Sequence, residues 1–239
     1  MKPSYVLIRD QLLQSIHDGR LKPGEKLPSE IEMAKKFEVS RETFRSAVKL
    51  LEKEGRLVVK RGAGTFVVKP LPHIPNRLEK LDSVTQMILS AGLREGERQE
   101  SIRLATCRKE WAEVLELKEG DPVIVNERIR TANGEPTVVS VNIIPEHIIG
   151  KDILNQKIIG SLFAYLEEKC GIYITSADAE LHVPLHTDRH CQKLLIRPET
   201  TVLMMKQLHY NQSNEPVLYS MDYFRNDVFQ FTIRRVRDE

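Results

Sequence analysis

The 239-residue sequence predicts an α+β protein with two domains and a joint between them. A small helix-turn-helix domain with a β-hairpin wing spans residues 1–69, and a proline-containing linker spans 70–80. A mainly antiparallel sheet with flanking helices fills 81–239. Three observations predict this. Between Gly19 and Val67 two helix starts, a short gap and a glycine-tipped hairpin follow one another. Residues 1–69 carry 15 Lys/Arg against 9 Asp/Glu, whereas the rest carries 21 against 25, so a basic unit precedes an acidic one and only the first is expected to meet phosphate. A strand-turn-strand pattern occurs twice in the second half, offset by 79 residues before its turn and 80 after it.

In the first domain Tyr5, Ile8, Leu12, Leu13 and Ile16 recur at helical spacing, and Gly19 can end that helix. Pro23-Gly24 reads as a turn. Ser29 with Glu32 forms a capping box for a second helix that turns Ile31, Ala34 and Phe37 inward. Ser40 caps a third helix, in which Phe44, Ala47, Val48 and Leu51 make a core stripe while Glu42, Arg45, Ser46 and Lys49 point away and Arg41 and Thr43 sit on the rims. So short a gap lays the third helix across the second, which lets its first residues enter a DNA major groove. Arg41 and Arg45 are the candidate base readers, because arginine can fork onto guanine O6 and N7; on an isolated helix ordinary solvated charges would look the same. Leu57–Lys60 and Thr65–Val68 flank a tip of Arg61-Gly62-Ala63-Gly64. The bare glycines let backbone approach a nucleic acid closely, with Lys60 and Arg61 supplying charge, and a plain surface hairpin is the alternative.

These elements closely resemble the GntR family of bacterial transcription regulators, whose winged helix carries L-x-P-G-x-x-L-P-S-E, V-S-R-x-T-x-R-x-A and G-x-G-T-F. Here those motifs are Leu21 to Glu30, Val39 to Ala47 and Gly62 to Phe66. The resemblance implies a homodimer on a pseudo-palindromic double-stranded DNA operator, with Arg41, Thr43 and Arg45 near bases and phosphates and the wing in the adjacent minor groove. The candidate DNA-binding set is Ser29, Ser40, Arg41, Thr43, Arg45, Lys60, Arg61, Gly62 and Gly64.

From Lys69 to Pro75 three prolines in seven residues read as a semi-rigid extended linker. Each copy of the repeat, Val123 to Ser140 and Val202 to Ser220, is a strand, a turn of Asn-Gly or Ser-Asn, then Glu-Pro and a returning strand. Each follows a short amphipathic helix, near Trp111 to Leu117 and Arg189 to Leu195. The two helix-plus-hairpin units should join in one sheet. Arg128 and Arg130 share a strand face, where the second copy has Gln207 and His209. Two neighbouring arginines on an apolar strand need either an anion between them or carboxylates on the next strand. Ser83 with Gln86 reads as a capping box opening the helix of Met87, Ile88 and Leu89, and Ser161 opens another that ends at Cys170-Gly171.

This half resembles the UTRA ligand-sensing domain of the HutC subfamily, whose fold is related to chorismate lyase. The matching residues are Leu81 to Thr85, Arg128-Ile129-Arg130 with Asn133 to Pro136, Ser161 to Phe163, and Asn226-Asp227. The resemblance assigns the anionic group of an effector to Ser83, Val84, Thr85, Arg128 and Arg130. Ser140, Ser161 and Phe163 complete the candidate effector set. Members that sense amino-sugar phosphates tend to have glutamates where this chain has Ser140 and Leu218 and a tyrosine where it has Phe163, so a more apolar pocket is expected here.

Three scattered cysteines, Cys107, Cys170 and Cys191, and the lack of a visible signal peptide or long apolar run fit a soluble, cytoplasmic protein without membrane contact. His182, His186 and His190 have helical spacing but Pro184 interrupts it, so no metal site and no cofactor are expected. Hydrolase elbows, zinc-protease helices and phosphate loops are missing, which argues against an enzyme. The expected function is therefore sequence-specific repression of transcription, relieved when a phosphate- or carboxylate-bearing metabolite binds. Lyase-like catalysis on the UTRA fold and a constitutive DNA-binding dimer without effector are the alternatives. Substituting Arg128 by Ala is expected to spare DNA binding and abolish the effector response.

Overall fold

A computed structural model describes residues 3–68, 71–194 and 200–237. Lys69 and Pro70 of the expected linker and Leu195 of the expected second repeat helix lie outside the described residues. The chain divides into two compact units, Met1–Leu71 and Pro72–Glu239.

The first unit contains α1 (Ser4–His17), α2 (Glu30–Lys36), α3 (Arg41–Lys53) and a hairpin of β1 (Leu57–Lys60) and β2 (Gly64–Val67). Its core collects Ile8, Leu12, Met33, Ala34, Phe44, Ala47, Val48, Leu51, Leu57 and Val67. The stripe read from α3 is buried as its spacing requires. One inward assignment is corrected. Ile31 is 66% exposed and Met33 takes the buried place, because α2 starts at Glu30 and the face that meets α3 falls on positions 33, 34 and 37. Tyr5, in the first turn of α1, is 37% exposed, with Ile8 the first buried residue of that helix. The stretch after the Pro23-Gly24 turn does more than reverse the chain. Leu27 N donates to Thr65 O and Val67 N to Glu25 O, each at 2.8 Å, so residues 24–27 run beside β2 and brace the wing.

The second unit begins inside the expected linker. Residues Ile74–Arg77 form β3, paired in parallel with the last strand, β10 (Phe229–Thr232). The linker reading is corrected for this segment: alternate residues Ile74 and Asn76 are buried, which a solvated spacer would not do. Between those strands lie α4 (Val84–Ser90), β4 (Glu95–Thr106), α5 (Lys109–Leu115), β5 (Pro122–Ala132), β6 (Glu135–Pro145), α6 (Glu146–Ile149) and α7 (Leu162–Cys170). They are followed by β7 (Ile174–His182), α8 (Arg189–Lys193), β8 (Val202–Asn211) and β9 (Pro216–Arg225). Six strands form one antiparallel sheet in the order β4-β5-β6-β9-β8-β7.

That order explains the sequence repeat. Each copy is a β-α-β-β unit, β4-α5-β5-β6 or β7-α8-β8-β9, and the order is unchanged when the copies are exchanged across the β6-β9 seam. The first hairpin turns at Asn133-Gly134, both at positive φ (51° and 84°), which suits the twist of a two-residue hairpin loop. One sheet face is apolar: Val123, Val125, Val139, Val141, Ile143 and Tyr223 pack under Trp111 and Leu115 of α5 and Cys191 of α8. On the other face Ile124, Ile144 and Leu218 pack against Ile153, Leu162 and Leu166. Between these apolar patches the same face carries polar side chains, since the period of two aligns Arg128 and Arg130 of β5 with Ser140 and Asn142 of β6 and Ser220 and Asp222 of β9.

Candidate nucleic-acid interface and ligand cavity

In the first unit a groove opens between the start of α2, the start of α3 and the wing. Seven of the nine expected DNA-binding residues line it: Ser29, Arg41, Arg45, Lys60, Arg61, Gly62 and Gly64. Ser40 and Thr43 sit instead at the head of α3, where Ser40 Oγ accepts from Thr43 N at 3.1 Å and lies 2.8 Å from Thr43 Oγ1. Ser29 is engaged in its own capping box: Glu32 N donates to its hydroxyl, and its backbone N–H donates to Glu32 Oε2 at 2.8 Å.

Glu30 gathers Arg41 and Arg45, a contact the sequence motif did not reveal. Arg41 Nε donates to Glu30 Oε2 at 2.8 Å, and Arg45 reaches the same carboxylate through Nε at 3.2 Å and Nη2 at 2.9 Å. The hydrogen bond from Arg45 holds the Glu30 carboxyl below the usual carboxylate range. On the wing the Lys60 ammonium lies 5.2 Å from the centre of the Phe66 ring. Gly64 has φ +110°, and a Cβ there would meet Lys26 Cε at 2.8 Å, so the wing tip passes close over a lysine that sequence reasoning missed.

In the second unit all eight expected effector residues line one cavity of about 40 Å³: Ser83, Val84, Thr85, Arg128, Arg130, Ser140, Ser161 and Phe163. Ser83 and Ser161 cap α4 and α7, accepting from Gln86 N at 3.2 Å and Ala164 N at 3.4 Å. The expected capping box at Ser83 is present in this one half, the hydroxyl bond. The choice left open for the arginines resolves toward carboxylates on the neighbouring strand. Arg128 donates to Glu97 at 2.5 Å and to the carbonyls of Ile158 and Gly160 at 2.9 and 3.0 Å. Arg130 donates to Glu95, to Thr85 Oγ1 at 2.8 Å and to Gly160 O at 2.9 Å, while its buried Nε has no partner among the described residues. Burial, and then the neighbouring charge of Arg128, push the Arg130 guanidinium below its ordinary range.

The second repeat copy contributes Gln207, His209, Ser220 and Asp222 to the same cavity, joined by Asn142 from the first. The signal was in the sequence, in the alignment of Gln207 and His209 with the two arginines. It was hidden because the comparison was confined to three positions that usually carry sugar-binding groups. Asp222 is fully enclosed: Ser140 Oγ donates to Oδ1 at 2.5 Å, and Ser220 Oγ and Gln207 Nε2 donate to Oδ2 at 3.0 and 3.2 Å. Burial raises its pKa against the pull of those donors. His209 lies 5.3 Å from the Phe163 ring in an edge contact, and burial depresses its pKa to about 3.

The other histidine cluster does not assemble. His182, at the end of β7, pairs with Glu180, whereas His190 is buried against the ring of Tyr223. Among the described residues no group of three or more His, Cys, Asp or Glu side chains is placed to hold a metal ion, and no helix is long and apolar enough to cross a membrane.

The family model for bacterial regulatory proteins of the gntR family matches residues 4–67, and that for the UTRA domain matches residues 90–230. The HTH-type transcriptional repressor NagR of Bacillus subtilis is 31% identical over 96% of this chain and 93% of its own length. The HTH-type transcriptional regulator GgaR of Escherichia coli is 25% identical over 96% and 90%. Among solved structures, PhnF from Mycobacterium smegmatis matches with a TM-score of 0.63 and 26% identity, covering 96% of this chain and 99% of that one.

Proposed function

The chain belongs to the GntR family of bacterial regulatory proteins and carries a UTRA domain, and from that premise we propose a homodimeric repressor that leaves its operator when a small anionic metabolite enters the cavity of the second unit. Its family consists of transcription regulators, not enzymes. The observation that carries the reading is the convergence of Arg128, Arg130, Ser83 and Thr85 on one cavity, with the Nε of Arg130 left unpartnered among the described residues. A buried donor without an acceptor is costly, and an anionic oxygen relieves that cost.

At about 40 Å³ the cavity is small beside a metabolite, and in this reading binding widens it. Thr85 is the point at which opening can be transmitted. Its hydroxyl ties the first turn of α4 to Arg130, and α4 packs on β3, the strand that lies within the expected linker. An anion that competes for Arg130 releases this tie and biases the position of α4. On the DNA side, Arg41 and Arg45 read bases in the major groove while Lys60, Arg61 and the two wing glycines follow the backbone. Two copies of this surface suit half-sites about one helical turn, or 34 Å, apart.

The test begins with a duplex selected from random sequence by the purified protein. Phosphorylated and carboxylated metabolites are then screened for thermal stabilisation, and each hit is titrated against the labelled duplex. A hit is expected to weaken duplex binding by the factor by which duplex weakens the hit. Stabilising hits that leave operator affinity unchanged would refute the proposal, as would conversion of the hit to product.

A further inference from the structure

The cavity is built from both repeat copies, and the two halves have opposite hydrogen-bonding character. The first copy supplies the donors Arg128 and Arg130; at the equivalent positions of β8 the second supplies Gln207 and His209, and Asn142 of the first is matched by Asp222 of the second. Strand register sets Ser140 directly beside Asp222, and Ser220 beside both Asn142 and Gln207.

As a carboxylate, the form its three donors favour, Asp222 fixes the direction of this network. An amide nitrogen can only donate, so Gln207 Nε2 gives a proton to Oδ2, and the hydroxyls of Ser140 and Ser220 give theirs to the same carboxylate. With its one proton committed to Asp222, Ser220 Oγ can only accept from its remaining neighbour, His209 Nε2, at 3.1 Å. The imidazole is buried and neutral, so it carries a single N–H, and that proton sits on Nε2. Nδ1 is therefore a bare lone pair. It is enclosed, on a residue 1% exposed that lines the cavity, and has no partner among the described residues.

We propose that His209 Nδ1 is a specificity-determining acceptor, and that the effector is an organic anion carrying a hydroxyl or N–H group which donates to it. The inference rests on the reading of this cavity as the effector site. The two orphaned atoms, Arg130 Nε and His209 Nδ1, demand opposite partners: an anionic oxygen for the first and a donor for the second. An anion without a donor satisfies one and leaves the other as it was.

The experiment uses the full chain and matched probes: inorganic phosphate, propyl phosphate against glycerol 3-phosphate, and butanoate against 3-hydroxybutanoate, each titrated calorimetrically. The hydroxylated member of at least one pair is expected to bind about tenfold or more tightly than its partner, because a buried acceptor left empty discriminates strongly against an analogue that lacks the donor. In a His209→Phe variant that ratio should fall to within about twofold, and in His209→Gln, which keeps an acceptor oxygen, part of it should return. Pairs that bind with equal affinity would overturn the inference and leave the anion site standing. Failure of every probe to bind would remove the anion site, and the inference with it. A further measurement needs no variant: the imidazole nitrogen resonances of His209 at neutral pH should report the Nε2–H tautomer, and an Nδ1–H tautomer overturns the proposal.

Discussion

Both units hold a pair of arginines on carboxylates, and they do so in opposite surroundings. In the groove Arg41 and Arg45 share Glu30 with side chains 58% and 36% exposed; in the cavity Arg128 and Arg130 are 3% and 4% exposed and face Glu97, Glu100 and Glu95. An exposed pair is worth little, about 0–1 kcal/mol, so a guanidinium can leave its carboxylate for a phosphate or a guanine at small cost. A buried pair is different: its charges have been taken out of water, and removing one partner strands the other. The first pair is held ready for exchange. In the second, Arg128 is committed to the fold, and the free capacity is reduced to one nitrogen of Arg130.

The contrast is tested hardest at Arg128. Replacement by Ala would take from buried Glu97 its closest cation and from Glu100 a neighbouring one, and would leave the Ile158 carbonyl without its arginine donor, while Gly160 O keeps Arg130. We expect a loss of about 3–5 kcal/mol in urea unfolding, the cost seen when a buried pair is broken, whereas Arg41→Ala should lose no more than about 1 kcal/mol. The family resemblance implied that Arg128→Ala would act only on effector response. Its burial and four partners make it first a stability variant. Equal losses at the two sites would dissolve the distinction.

How much of this was legible in the chain follows the same division between local and long-range causes. The capping serines, the core stripe of α3, the glycine-tipped wing and the duplicated hairpin are signals written within a few residues, and each appears in the structure. The misreadings depended on partners distant in sequence. Ile31 was assigned inward by spacing, but the face of α2 that is buried is decided by where α3 crosses it. Ile74–Arg77 looked like a spacer because its partner strand lies more than 150 residues later. The acidic and histidine side of the cavity came from β8 and β9, and only strand order brings them opposite β5. Carboxylates on β4 were allowed for but could not be chosen without register.

The buried half of the comparison also has a pH signature. His209 titrates near 3 instead of its ordinary 6.5, so between those values the unfolded chain binds the proton that the folded chain excludes. Stability from this residue is complete above pH 6.5 and is lost as pH falls through that window, with a limiting slope of about 1.4 kcal/mol per pH unit. Asp222 has the opposite sign, because burial raises its pKa and acid then favours the fold. The two are separated by comparing wild type with His209→Gln in unfolding curves from pH 7 to 5. The wild type should lose stability more steeply, and parallel curves would show that the imidazole is not held neutral.

The smallest effect expected is at Glu30, and it sharpens the exposed half. Arg45 lowers the Glu30 pKa, so the carboxylate is charged throughout the range in which DNA binding is measured. Glu30→Gln keeps the shape and removes the charge that gathers both guanidinium groups on one side of the groove. Loss of exposed pairs should change unfolding by less than about 1 kcal/mol. The effect should appear in recognition: affinity for random duplex rises, because a negative charge has left a phosphate-binding surface, while preference for the selected duplex over random falls about two- to fivefold as the arginines lose their common anchor. A merely structural glutamate would alter both affinities together. If the ratio of selected to random binding is unchanged while stability drops, Glu30 braces α2 against α3 and does not aim the arginines.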